Sequence, residues 1–136
     1  MGRTKYVVLV ILGIVILSLG LSCSSDSDTS EKEFETRLLV RAPDQPLQVN
    51  KEVTVTSLAD DPDNEISRIE LVLVSTPYLE DKNLVVGVSP APDGQTVFTA
   101  KQKFVPLMVG DYVVKAVGYN KLGEYTVSET ISFTTQ

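Results

Sequence analysis

From residue 36 onward the chain is a series of short β-rich runs broken by turn residues, and its apolar side chains recur with a period of two rather than 3.6. The stretch 52–58 (EVTVTSL) sets Val53 and Val55 on one face and Thr54 and Thr56 on the other. The stretch 66–74 groups Ile69, Leu71 and Leu73 against Arg68 and Glu70. Further runs cover 36–42, 84–88, 95–104, 112–119 and 125–133. The last two join across Asn120, Lys121, Leu122 and Gly123, a hairpin-length loop with a glycine available for positive φ. Seven strands at a spacing of about 8–12 residues predict an all-β fold, a seven-stranded antiparallel β-sandwich. A single open sheet would leave too many valines in water, and a closed barrel is the alternative to the sandwich.

What the chain lacks narrows its chemistry. It has no histidine, and Cys23 is its single cysteine. No disulfide forms within it, so the domain stands on packing alone. A Cys/His zinc site and a Ser-His-Asp arrangement are both excluded. Paired carboxylates are present in number, but none is marked by flanking aromatics, and a sandwich of this size leaves little room for a cleft. The expectation is a protein that is not an enzyme. Of 12 basic residues, Arg3 and Lys5 lie in the first 22, whereas all 18 acidic residues follow Cys23. Without that leader the chain carries ten basic side chains against 18 acidic ones, about −8. Such a surface repels phosphate backbones and argues against nucleic acid.

Residues 1–5 form a basic head, and residues 6–21 (YVVLVILGIVILSLGL) form an uncharged apolar run ending at Ser22-Cys23. This order resembles the bacterial lipoprotein signal peptide, with Gly20 standing where that family prefers Leu. The resemblance implies cleavage after residue 22 and a diacylglyceryl group on the Cys23 thiol. An uncleaved membrane anchor is one alternative, since the run approaches the length of a span, and an incidental Cys23 after an ordinary cleaved signal is another. With a lipid or an anchor the expected place is the cell envelope, on the outer side of the cytoplasmic membrane or in the outer membrane. Residues 24–33 hold Ser, Asp and Glu and no apolar side chain, and so predict a flexible polar tether over 23–34 before a domain over 35–136.

The body resembles the immunoglobulin-like domains of bacterial surface proteins, including modules of the polycystic-kidney-disease and fibronectin-III types. The resemblance rests on Asn50 to Val53, on Ile66 to Leu71 after an acidic turn, on Pro106 ahead of Gly110-Asp111-Tyr112, and on Ala116 to Asn120 with Gly123. It implies a tyrosine corner at Tyr112, whose hydroxyl bonds back to nearby backbone. The cysteine pair and buried tryptophan of antibody-type domains are missing, and Phe98 and Phe104 are expected to supply that bulk.

Three features are candidate sites. Asp60, Asp61, Asp63 and Glu65 offer oxygen ligands at a spacing compatible with Ca²⁺, but the twelve-residue loop with its glycine is missing, Pro62 limits how the carboxylates converge, and a solvated turn is the favoured reading. On the strand alternation Val72, Val74, Val113, Val117 and Tyr119 face outward on neighbouring strands, forming an apolar stripe suited to an interface. The loop 75–82, with Pro77 and Tyr78, is a second contact candidate. The expected function is a non-catalytic, lipid-anchored module that binds or scaffolds protein or glycan at the cell surface. A structural spacer and a calcium-dependent module are the alternatives.

Overall fold

The computed structural model describes residues 31–79 and 82–136; Cys23, the leader and the tether as far as residue 30 lie outside the described residues, as do Glu80 and Asp81. Eight strands follow one another: β1 (Glu35–Leu38), β2 (Val53–Asp60), β3 (Ile66–Ser75), β4 (Leu84–Pro90), β5 (Val97–Phe104), β6 (Gly110–Asn120), β7 (Tyr125–Val127) and β8 (Ile131–Thr135). One sheet has the order β1-β2-β5. The other has the order β4-β3-β6-β7, with β8 also on β6. Every strand pairing in both sheets is antiparallel. The fold is a β-sandwich, as the periodicity implied, and an immunoglobulin-like one, as the resemblance implied. Lys32 to Gln136 make up one compact unit.

The stretch expected as one strand over 125–133 is two. Val127 stands opposite Val117, and Ile131 stands opposite Val114, so the β7–β8 side carries one residue more than β6 between those pairs. Ser128 accounts for the difference. Its hydroxyl accepts the Ala116 amide at 2.8 Å and donates to the Glu129 carbonyl at 2.7 Å, taking a place in the ladder that a carbonyl would otherwise hold. An extra residue in a period of two reverses which side chains face inward. Before the bulge Thr126 points into the sandwich, where its hydroxyl meets that of Thr36 at 2.7 Å. After it, Phe133 and Thr135 point inward and are buried.

The first strand is shorter than expected. After the Leu39 amide bonds to the Thr56 carbonyl at 2.8 Å, the chain leaves β2. Pro43 and Pro46 lack the amide that a ladder needs, and the backbone next pairs at Leu47, in parallel with Thr135 of β8. Strand one therefore starts in one sheet and its continuation finishes on the other.

Between the sheets lie two groups of buried side chains. One joins Val55, Leu71, Leu73, Tyr112, Val114 and Phe133. The other joins Ala59, Ile66, Ile69, Ala100 and Ala116, with Phe34 and Phe98 packed against it. Tyr112 and Phe133 stack with ring centroids 5.5 Å apart, and Phe104 lies 5.9 Å from Phe133. Of the two phenylalanines expected to supply bulk, Phe104 joins this aromatic group and Phe98 packs against the second group. In the second group β6 approaches β1 and β2 so closely that a methyl on Gly118 would sit 2.9 Å from Cβ of Ala59.

Tyr112 is 1% exposed, yet its hydroxyl is satisfied. It donates to the Met108 carbonyl at 3.1 Å and accepts the Met108 amide at 3.3 Å, forming the corner that the resemblance implied. Thr135 donates to the same carbonyl at 2.7 Å, and the Asn50 amide reaches the Pro106 carbonyl at 2.8 Å. Tyr112→Phe removes both corner bonds while keeping the ring. It should cost about 1–2 kcal/mol, seen as a lower urea midpoint with an unchanged slope. Gly118→Ala should cost about 1–3 kcal/mol in the same measurement, through overpacking.

Candidate binding face

On its outer side, the five-stranded sheet places side chains from four strands in register. Val85 of β4 stands opposite Val72 of β3, and Val72 stands opposite Lys115 of β6. The next row runs Val88, Glu70, Val117, Val127, and the one beyond it pairs Arg68 with Tyr119 and Tyr119 with Tyr125. A shallow depression of about 380 Å³ lies among Val72, Val85, Val117, Tyr119, Tyr125 and Val127, with Glu70, Asn83 and Lys115 also lining it. Val72 and Val117 form its floor and are almost covered, at 3% and 7% exposure. Val85, Val127 and Tyr125 form its walls and are 47%, 46% and 62% exposed.

Two charged residues on this face, Arg68 and Glu70, pair with each other. Arg68 Nε donates to Glu70 Oε1 at 2.7 Å, while the guanidinium lies 3.8 Å above the centre of the Tyr119 ring. Tyr119 in turn meets Tyr125 at 5.8 Å with the rings tilted 39°. A cation–π contact of this kind holds an aromatic ring in one orientation and removes the cost of ordering it on binding.

Of the five residues expected in the stripe, the depression gathers Val72, Val117 and Tyr119. Val74 and Val113 are half-buried and lie outside it. The β3–β6 register shifts between Leu73 and Ser75, which sets Val113 opposite Ser75 and Ser132. Val85, Tyr125 and Val127 were not foreseen. Tyr125 and Val127 come to this face through the reversal at Ser128, which the alternation alone does not announce.

In the loop after β3 the Thr76 and Leu79 backbones bond to each other, Tyr78 is 47% exposed, and a methyl on Gly110 would meet Pro77 Cγ at 2.7 Å. Close by in sequence to Gly110, the loop between β5 and β6 exposes Val105, Leu107, Met108 and Val109 at 44–65%. The run VPLMV was a visible signal for that second apolar patch.

The acidic cluster is held apart. Lys32 pairs with Asp60. Asp61 is buried, and its Oδ1 accepts the amides of Asp63 and Asn64, each at 3.0 Å. Its Oδ2 accepts Asn120 Nδ2 at 2.9 Å. Glu65 turns to Lys121 at 2.6 Å and to the Gly94 amide at 3.0 Å, and Asp63 is exposed. Among the described residues, no three acidic side chains are placed to share a metal ion. Asp61 instead fastens the β2–β3 turn to the end of β6, where Asn120 Oδ1 accepts the amides of Leu122 and Glu124 at 3.0 Å. Lys121 also bonds Asp93 at 2.8 Å, and these two carboxylates push its pKa up to about 12.

No family model and no curated protein matches this chain. Solved structures do. The fibronectin(III)-like modules of Clostridium thermocellum CbhA align at 13% identity over 75% of this chain and 97% of theirs, with a TM-score of 0.55. Superoxide reductase (neelaredoxin) from Ignicoccus hospitalis aligns at 16% identity over 82% of this chain and 89% of its own, with a TM-score of 0.56. These likenesses show a shared sandwich. One neighbour is a module of a larger protein and the other is named as an enzyme, so the fold by itself selects no activity.

Burial opposes the ionised form of Asp61, but the donors from Asn120, Asp63 and Asn64 outweigh it and hold its pKa below the ordinary 3.8. A depressed carboxylate stabilises the fold fully above its unfolded pKa, and that contribution disappears as the pH falls through the folded one. Stability should therefore decline below about pH 4, and Asp61→Asn should flatten that decline in thermal melts across pH 2–5. Asp61→Ala orphans the donors and should cost about 2–3 kcal/mol at pH 7, with or without added Ca²⁺.

Proposed function

We propose that this chain is a non-catalytic, envelope-tethered module that docks a protein partner on the outer face of its five-stranded sheet. The observation that carries the reading is the row of apolar and aromatic side chains from four strands around the Val72–Val117 floor. Contiguous apolar surface of this kind marks binding sites more often than scattered valines do. The partner class follows from the chemistry of the face. A glycan site needs several polar side chains converging on hydroxyl groups, whereas here Arg68 and Glu70 bond each other, and Asn83 and Lys115 stand beside six valine and tyrosine side chains. A protein surface with its own apolar ridge satisfies such a face, with Tyr119 and Tyr125 as anchors of the kind that dominate interfaces.

The envelope location rests on the leader and Cys23. A lipid on Cys23 leaves the body free to meet partners on the outer side of a membrane, and the fold supplies a sheet face to meet them with. A spacer has no use for a prearranged aromatic pair. Val72 and Val117 are too covered for charge substitutions that leave the fold intact. The informative variants are Val85→Lys and Tyr125→Lys, both at exposed positions. Crosslinking on intact cells should capture one dominant protein with the native chain. Capture should fall about tenfold or more in the double variant, whose melting temperature stays within a few degrees of the parent. Undiminished capture, or none with the native chain, would reject this face.

A further inference from the structure

A second cavity lies on the side of the sandwich away from the β4 edge, where the chain crosses from β2 to β8. After Leu39 no strand covers the start of β2, and the crossing segment returns to the ladder at Leu47. Beneath it is a cavity of about 330 Å³ whose walls are chiefly Leu47, Val53, Val55, Val114, Ile131 and Phe133. Three of these, Val55, Val114 and Phe133, belong to the sandwich core and are 7% exposed or less. The cavity is thus a break in the core open at one side, and its volume falls within the range of small-molecule pockets. Apolar cavities much smaller than this stay dry and accept apolar ligands.

The rim defines what else a ligand needs. Arg41 lines the cavity and also an adjoining, more polar groove, which shares Val40 and Ile131 with it. Glu52 also lines the cavity, with its carboxylate turned to Lys103 at 2.8 Å, and Glu35 in the adjoining groove faces Arg37 at 3.6 Å. Glu129 lines the outer groove and not the cavity. Among the described residues Arg41 makes no ion pair, which leaves one guanidinium over the mouth of an apolar cavity. Guanidinium matches a carboxylate in two parallel hydrogen bonds.

We propose that this lateral cavity binds a single-chain amphiphile with a carboxylate head, a free fatty acid, with its chain between the sheets and its head on Arg41. The site is separate from the outer sheet face, and each can fail without the other. The full-length chain in zwitterionic nanodiscs, exposed to a twelve-carbon photoreactive fatty acid and its primary-amine counterpart, provides the test by mass-spectrometric mapping of labelled peptides. The carboxylate should label the segments around Leu47, Val53 and Ile131. Arg41→Gln, at an exposed position, should reduce that labelling about tenfold, the worth of one charge-assisted hydrogen bond. Val53→Phe, which fills the cavity, should abolish it without lowering the melting temperature. Labelling confined to residues 6–21, equal labelling by the amine, or labelling indifferent to both variants would overturn the proposal.

Discussion

Dry packing between two sheets carries the whole of this domain, since no covalent bond can lock one sheet to the other. Its focus is Tyr112. The ring stacks on Phe133 and touches the group formed with Phe104, so it belongs to the interior. The hydroxyl belongs to the loop before β6, whose carbonyl and amide at Met108 it satisfies. A buried phenol is stable only when its oxygen is bonded, and that requirement ties the loop geometry to the core. The loop so held displays Leu107, Met108 and Val109 at the surface.

At the opposite ends of the same strands a polar network replaces the aromatic one. Asp61 and Asn120 are both buried, and between them they bond the β2–β3 turn, the end of β6 and the hairpin that follows. Each is nearly saturated with donors or acceptors. A carboxylate so engaged is a structural fastener, and it has few lone pairs left to offer a cation. The domain is thus closed at one end by stacked rings and at the other by amides around an ion.

Between those ends the two sheet faces are not equivalent. The β6–β7 hairpin brings Tyr119 and Tyr125 together, Arg68 covers Tyr119, and Glu70 covers the charge of Arg68. This chain of contacts matches Arg68 with Glu70 and leaves the face mainly apolar in a protein otherwise rich in acid. The lateral cavity arises differently. It follows from a strand that changes sheets midway, leaving the start of β2 without a neighbour on that side.

The amino-acid sequence alone specified the sandwich, the acidic and histidine-free surface and the hairpin at Gly123, while the tyrosine corner came from the family resemblance. The first three are encoded locally, in a period of two, a residue type or a short turn. It also placed Val72, Val117 and Tyr119 on one outward face, because β3 and β6 keep an unbroken register between Arg68 and Leu73. What it could not show is how one extra residue at Ser128 reverses the side on which Tyr125 and Val127 lie. A bulge is decided by the partner strand, through the Ala116 amide choosing a hydroxyl over a carbonyl. The separation of Asp60, Asp61 and Glu65 was hidden for the same reason. Residues adjacent in sequence were drawn apart by Lys32, Asn120 and Lys121, partners that only the closed tertiary structure brings within reach.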